Sequence, residues 1–422
     1  MTKSLTFTAL FLAGTALQIH AEDWPQWGGP NRDHKSAETG LMQTWPEGGP
    51  KRVWVVENLG AGYSAPAVAN GRIYILGARD KKEFLVALNE KDGKEIWAAE
   101  MSPMLENGPW GDGPRGTPTI VDGNAYAISG KGALIAADKN GKVLWKKELK
   151  DLGGKEQNWG YTESPLVENG IVYCTPGGDK GAVVALDAKT GEVKWQSSEF
   201  AVPNVHYTSL VATDLNGTRQ LIRLTEKKLA GLNAKDGKLL WQVDYPGKVA
   251  VIPTPIVKGN KIYATAGYDT GASKLIEIDA QNKVKEIYEN RVLANHHGGV
   301  VLVNDHVYGF GEASRGNWVC QKFETGEEVW AEKGIGKGAV TFADNRLYCI
   351  SEGKGEVALV EPSPAGYREH GKFTLQAQSE KRSKNGKVWT HPVIANGKLY
   401  LRDQEFFSCY DVSAGAKTAS IQ

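Results

Sequence analysis

Charged and aromatic residues recur in this sequence at one place in a pattern, just ahead of a step that mostly pairs a small residue with proline. The lead-in segments are GYSAP (62–66), PRGTP (114–118), YTESP (161–165), HYTSL (206–210), VIPTP (251–255), NHHGG (295–299), GKGAV (336–340) and WTHP (389–392). They carry four of the eight histidines, His206, His296, His297 and His391, with Arg115, Glu163, Lys337, Tyr63, Tyr161, Tyr207 and Trp389. Trp159 lies just before one of them. Three chemistries are open to such a set. In the first, Arg115 and Lys337 neutralise the carboxylates of a planar anion, aromatic rings stack on it, and Glu163 or His297 takes a proton. In the second, His296, His297 and His391, with Glu163, ligate a transition metal. Neighbours in an extended segment point to opposite sides, so only one of His296 and His297 is expected to face a common centre. In the third, the polar groups meet only water and backbone carbonyls. Convergence of titratable and aromatic groups favours a ligand for the cluster as a whole.

A repeat must bring these segments together. Each copy follows its lead-in with an apolar alternation, an Asn-Gly or Asp-Gly type of turn, two further alternating strands and a short strand closing on Trp. The clearest copies span 64–97, 116–145 and 163–195. Five weaker ones follow at 208–241, 253–288, 297–330, 338–373 and 390–412, with Tyr288 and Phe373 in the Trp slot of two of them. A sheet this small cannot bury both faces alone, so the units must stack. The expected fold is all-β, an eight-bladed β-propeller of four-stranded antiparallel blades, with seven blades if the divergent seventh copy is an insertion. The eighth copy lacks its outer strand. PKRVWVV (50–56) supplies it, with Trp54 in the slot of Trp97, Trp145, Trp195, Trp241 and Trp330, so an N-terminal strand closes the ring. Each recurring Trp reads as a wedge between blades whose N–H reaches the next turn. The Asp and Asn residues before Gly read as turn formers, since no EF-hand ligand spacing accompanies them.

Composition narrows the function. Fifty Lys and Arg against forty-nine Asp and Glu leave no basic field for nucleic acid. Residues 1–21 read as a cleavable signal peptide, with Lys3, an apolar run too short to span a bilayer and Ala21 closing IHA. Without a second apolar run, the expected product is a periplasmic or secreted chain that is not an integral membrane protein. The division is then a leader (1–21), an N-terminal clamp (22–49), the propeller (50–414) and a tail (415–422). Cys174, Cys320, Cys349 and Cys409 lie far apart inside apolar strands and read as small buried hydrophobes.

ALDAKTGEVKW (185–195), taken with WPQWGGPNR near the start, resembles the PQQ-like repeat family, which includes quinoprotein dehydrogenases and the propeller lipoprotein of outer-membrane barrel assembly. The resemblance covers essentially the whole mature chain and implies the eight-bladed fold. For the dehydrogenases it implies pyrroloquinoline quinone stacked on a Trp, covered by a vicinal disulfide and polarised by calcium. This chain has no adjacent cysteines, and no motif places the calcium ligands. The cofactor-binding candidates are therefore Tyr63, Arg115, Trp159, Tyr161, His206, His296, His297, Lys337, Trp389 and His391, with Glu163 and His297 as the catalytic ones. Two functions fit: a propeller binding a small molecule, glycan or protein at its axial mouth, and a periplasmic dehydrogenase of alcohols or sugars using the quinone with calcium. Chemistry places the first ahead. Trp110 and Trp159 are expected to wall the mouth, residues 375–389 to form a solvated loop, and Trp24 and Trp27 to clamp the leading segment across the ring closure.

Overall fold

The computed structural model describes residues 22–205, 207–313 and 316–415, and the expected leader, the end of the tail and His206 lie outside them. Eight four-stranded units form, with strand order following the chain in seven of them and an outer strand from the N-terminus in the eighth. Blade 1 comprises Ala67–Ala69, Arg72–Arg79, Lys82–Asn89 and Glu95–Pro103. Blades 2 to 7 begin at Thr119–Val121, Leu166–Glu168, Val211–Leu215, Ile256–Lys258, Val300–Val303 and Gly338–Ala343. Blade 8 has Val393–Ala395, Lys398–Asp403 and Phe406–Asp411, and its fourth strand is Lys51–Val56, antiparallel to Phe406–Asp411. The ring is thus an eight-bladed propeller closed by the N-terminal strand, as the incomplete last repeat requires.

Tight turns join the first two strands of each blade. Asn70-Gly71, Asn169-Gly170 and Asn396-Gly397 all have positive φ at both residues, the backbone that a two-residue hairpin needs and that Asn and Gly tolerate. Apolar residues collect in eight clusters, one wedge at each interface between neighbouring blades, including the seam between blades 8 and 1. The four cysteines are buried and unpaired within these blades.

A Trp from one blade docks on a turn glycine of the next. Trp97 Nε1 donates to the Lys139 carbonyl (3.0 Å), Trp145 Nε1 to Ala188 (2.9 Å) and Trp54 Nε1 to Glu90 (3.1 Å). The indole faces cover Gly141, Gly191 and Gly93, where a Cβ would stand 2.6, 2.7 and 2.9 Å from ring atoms. Each glycine also has φ between +72 and +84, so both space and backbone require it. Tyr288 takes the same place over Gly326, its hydroxyl donating to the Phe323 carbonyl at 2.9 Å. The Trp54 joint, which closes the ring, is chemically the same as the joints inside it.

The leading segment crosses the propeller axis before reaching that strand. Trp24 exchanges backbone hydrogen bonds with Val68 of blade 1, and Ile120 N of blade 2 donates to the Pro25 carbonyl. Arg32 is fully buried and donates to the Ser164 (2.8 Å) and Pro165 (3.1 Å) carbonyls of blade 3. Lys35–Ser36 then pairs in parallel with Phe342–Ala343 of blade 7. Leu41 and Trp45 fill the wedge between blades 7 and 8, and Trp24 fills the one between blades 8 and 1. The clamp therefore holds blade 8 on both sides and also plugs the axial channel, which the sequence did not suggest.

Replacing Gly141 by Ala is expected to cost about 3 kcal/mol, combining positive-φ strain with displacement of the Trp97 ring. Gly123, with φ +77 and open space around its Cβ position, should lose only about 1 kcal/mol from strain on the same change. Denaturant midpoints of the two variants measure the difference, and equal losses would show that the Trp joint contributes nothing.

Candidate functional site

A cavity of about 410 Å³ lies on the axis, on the side where the lead-in segments gather. Its floor is the plug, through Trp27, together with His391. Tyr63, Arg115, Trp159, Tyr207, His297 and Trp389 form its walls, and the exposed Trp110 and Tyr268 stand at the rim with Lys384 and Lys387. His296, Lys337 and Glu352 complete one side. Eight of the ten candidate ligand-binding residues thus line one space. His206 lies outside the described residues.

Tyr161 and Glu163 do not reach the cavity. Along their segment Thr162 faces the cavity, and alternation turns its two neighbours away. Tyr161 packs into the wedge between blades 2 and 3. Glu163 is 4% exposed, accepts hydrogen bonds from Thr175 N (2.7 Å) and Oγ1 (2.9 Å), and pairs with buried Arg223 at 3.7 Å. Its role is to neutralise that arginine, so neither base catalysis nor metal ligation at the axis falls to it. The expectation that only one of His296 and His297 faces the axis also fails. The chain bends through Gly298 (φ +98) and Gly299 (φ +70), the segment is not extended, and both rings line the cavity.

Two of the lining residues, Trp27 and Trp389, frame a group of histidines. Trp27 donates through Nε1 to Thr254 Oγ1 (2.9 Å), and its ring meets His34 at 4.8 Å and His391 at 4.7 Å between centroids. His391 lies 5.2 Å from His34 and 5.4 Å from His297, which faces Trp389 at 6.0 Å. Trp27 is therefore part of the cavity as well as of the plug, while Trp24 alone keeps the purely anchoring role. Burial depresses the pKa of His297 and of His391 well below the ordinary imidazole value, reinforced by the other histidines nearby. Burial, with the Arg32 charge, lowers that of His34 to about 4. Among the described residues, His34 Nε2, His297 Nδ1 and His391 Nδ1 are buried without hydrogen-bond partners. Such rings are neutral at pH 7, offering one donor and one acceptor each, and are poor proton acceptors there.

The cations divide into two kinds. Lys337 donates to Glu312 Oε1 (2.5 Å) and His296 Nδ1 (2.8 Å), with Glu352 4.0 Å away, so its charge is matched. Burial raises the Glu312 carboxyl, but the neighbouring His296 and Lys337 outweigh it and hold the pKa at about 2. Arg115 has no ion-pair partner among the described residues. Its guanidinium stacks over Tyr63 at 4.7 Å, Nη2 donates to the Gly111 carbonyl (2.7 Å), and Nε is buried without a partner. Tyr63 in turn faces Trp389 at 5.1 Å.

Several lining residues lie outside the lead-in segments. Tyr268 and Glu352 follow the second strands of blades 5 and 7, as Glu312 does in blade 6. In an antiparallel blade the loop after the second strand returns to the face from which the first strand entered, a rule that could have found them. The connector read as a solvated loop instead reaches the mouth, with Lys384, Asn385 and Lys387 lining it and Asn385 N donating to the Pro109 carbonyl at 2.8 Å.

The quinone cofactor, held as the resemblance implies, does not fit these side chains. The cysteines sit on strands of blades 3, 6, 7 and 8, away from the axis, and cannot cover a ring there. Among the described residues no three His, Cys, Asp or Glu side chains converge to hold a metal ion. Glu352, the carboxylate lining the cavity, is held by Trp389 Nε1 at 3.0 Å beside Lys337.

Eight four-stranded repeats, six of them closing on a Trp, around a ligand-sized axial cavity define a propeller of the PQQ-like repeat class. The sequence profile described as outer membrane protein assembly factor BamB matches residues 81–332, more than half of the chain, and the chain belongs to that family. It is 30% identical over 237 residues to the outer membrane protein assembly factor BamB of Moranella endobia (strain PCIT), covering 54% of this chain and 55% of the relative. The chain spans about half the length of the curated relatives it matches. Among solved structures it is similar to BamB from Moraxella catarrhalis, with TM-score 0.61, 13% identity, and coverage of 86% of this chain and 99% of that one. A quinohemoprotein alcohol dehydrogenase from Comamonas testosteroni gives 0.62, also at 13% identity, covering 94% of this chain and 82% of that one. At that identity the two structures share the fold alone.

The depressed His34 pKa has a definite sign. The unfolded chain takes up this proton first, so the contribution of His34 is present above pH 6.5 and is lost as the pH falls toward 4. Over that window the wild type should lose about 3 kcal/mol more stability than His34→Gln, at about 1.4 kcal/mol per pKa unit. Urea denaturation at pH 7 and pH 4 checks it, and parallel curves would refute it.

Proposed function

We propose that this chain is an exported, periplasmic propeller that takes a small ligand into its axial cavity and does no chemistry on it. One observation carries the reading. Around a single aromatic-walled cavity, Arg115, His297 and His391 each hold a buried polar atom with no partner, and such atoms are costly unless something satisfies them. Lys384 and Lys387 form no ion pair among the described residues, so the mouth adds positive charge. The best match is a flat ligand with an anionic group for Arg115 and hydrogen-bonding edges for the neutral imidazoles. Sealing of Glu163 and the depressed histidines speak against proton abstraction, and the missing donor set speaks against a calcium-held quinone. Export rests on the leader-like residues 1–21, and among the described residues no helix is long and apolar enough to cross a membrane.

A second reading is docking of a protein partner, for which relatives named as assembly factors are the precedent. Val53, Ile96, Leu144 and Val193 are 42 to 45% exposed on the outer strands of blades 8, 1, 2 and 3. These four blades are consecutive, so the apolar side chains form a row along one part of the rim, and such a row suits a partner's apolar surface.

Tryptophan fluorescence titration tests the first reading with flat aromatic carboxylates, oligosaccharides and pyrroloquinoline quinone, each with and without calcium. Saturable, calcium-independent quenching by an aromatic carboxylate is expected. Arg115→Ala and Trp389→Ala should each weaken it at least about tenfold, or 1.4 kcal/mol. Trp27→Ala should reduce binding, whereas Trp24→Ala should lower Tm. A folded protein with no saturable response across the panel would remove the reading, and dye reduction by alcohols with quinone and calcium would replace it with a dehydrogenase.

A further inference from the structure

Glu38 is a buried carboxylate with no cation beside it. It is 1% exposed and accepts backbone hydrogen bonds from Asn396, from Gly397 (2.8 Å) and from Glu22 (3.1 Å). Among the described residues no Lys, Arg or His pairs with it. Its titratable surroundings are acidic instead. Glu22 lies alongside, and Asp23 and Glu90 both reach the Asn396 amide that packs over the same turn. Burial raises the Glu38 pKa and the Glu22 charge adds to this, while the three backbone N–H groups pull it down. Buried charges in proteins are ordinarily paired, and here the partner is missing.

Geometry indicates where the missing charge comes from. The backbone nitrogen of Glu22 already points at Glu38 Oε1, and the Glu22 carboxylate fixes it there by accepting Ala37 N at 2.7 Å and Ser36 Oγ at 3.4 Å. Glu22 is also the residue that follows Ala21, where the leader is expected to be cut. While the Ala21–Glu22 peptide bond exists, this nitrogen is a neutral amide with a single hydrogen to donate.

We propose that leader removal supplies the charge: the new α-ammonium of Glu22 forms a part-buried ion pair with Glu38 and locks the axial plug to blade 8. In the cleavage, a leader-processing protease hydrolyses the Ala21–Glu22 bond. Water gives its hydroxyl to the Ala21 carbonyl carbon and a hydrogen to the Glu22 nitrogen, which then takes a further proton from solvent. The inference rests on the export reading and goes beyond it, because it makes processing a step in building the cavity floor. Trp27 and His34 lie on the same segment, between the Glu22 contact and Glu38 itself. The pair therefore fixes both ends of the stretch that floors the ligand cavity.

The full chain is exported, purified and its N-terminus read by mass spectrometry, after which competitive labelling with acetic anhydride gives the pKa of the α-amine. A start at Glu22 is expected, with that pKa raised at least about one unit above the usual value near 8, a tenfold tighter hold on the proton. In Glu38→Gln the value should return to normal, and selective α-acetylation should lower Tm in the wild type but not in this variant. Should Glu38→Gln fail to fold, Glu38→Asp, with its shorter reach, is expected to give an intermediate α-amine pKa. A start at another cleaved residue overturns the Glu22 ion pair while leaving export intact, and a chain that keeps residues 1–21 overturns the processing step together with the export reading. A start at Glu22 with an ordinary α-amine pKa overturns the ion pair while leaving export intact.

Discussion

A propeller blade has two apolar faces and no means of covering either by itself. Every other feature of this protein depends on closing the ring so that each face meets a neighbour. The eight apolar wedges are equivalent in kind, and the same joint, an indole over a left-handed glycine, spans both interior interfaces and the seam at Trp54 and Gly93. A closed ring necessarily leaves an axis. The leading segment fills one end of it, and the other end becomes the cavity. The site is a by-product of closure, lined by whichever residues the loops bring to the open side.

Burial gives that cavity its electrostatic character. The histidines at its base lose their charge because the plug keeps water from them, and the Arg32 charge beside His34 reinforces this. Lys337 spends its hydrogen bonds on Glu312 and His296. Arg115 differs from both in having an aromatic ring beneath it and no ion pair among the described residues. The result is an apolar-walled space with one preorganised cation and several neutral hydrogen-bonding rings. Such a space suits recognition better than proton transfer.

The ring could be read from the sequence because its determinants are local and repeated: alternating strands, Asn-Gly turns and a Trp at a fixed offset. The site was legible in part. Tyr63, Arg115, Lys337 and Trp389 fall on lead-in segments and Trp159 just before one, and the periodicity of the fold alone brings them to the axis. Glu163 and Tyr161 were misplaced because a one-residue change of direction inside a short segment follows from packing that spacing does not record. Trp27 and Lys387 were missed as cavity-lining residues for a different reason. They belong to unique segments, and nothing in a repeat says where a non-repeating stretch will lie.

The plug also imposes an order of events. Trp27 is made near the start of the chain and His391 near its end, yet the two form one floor. Chain emerging from the ribosome or a translocation pore can pair the strands of each blade as they appear, but the earliest residues must wait for the last blade. Bringing these distant ends together carries the loop-closure entropy of almost the entire polypeptide, a cost that grows only logarithmically with length. The floor of the axial cavity is consequently completed last, and a chain truncated anywhere in blade 8 would carry most of the lining residues without the closed ring that gathers them.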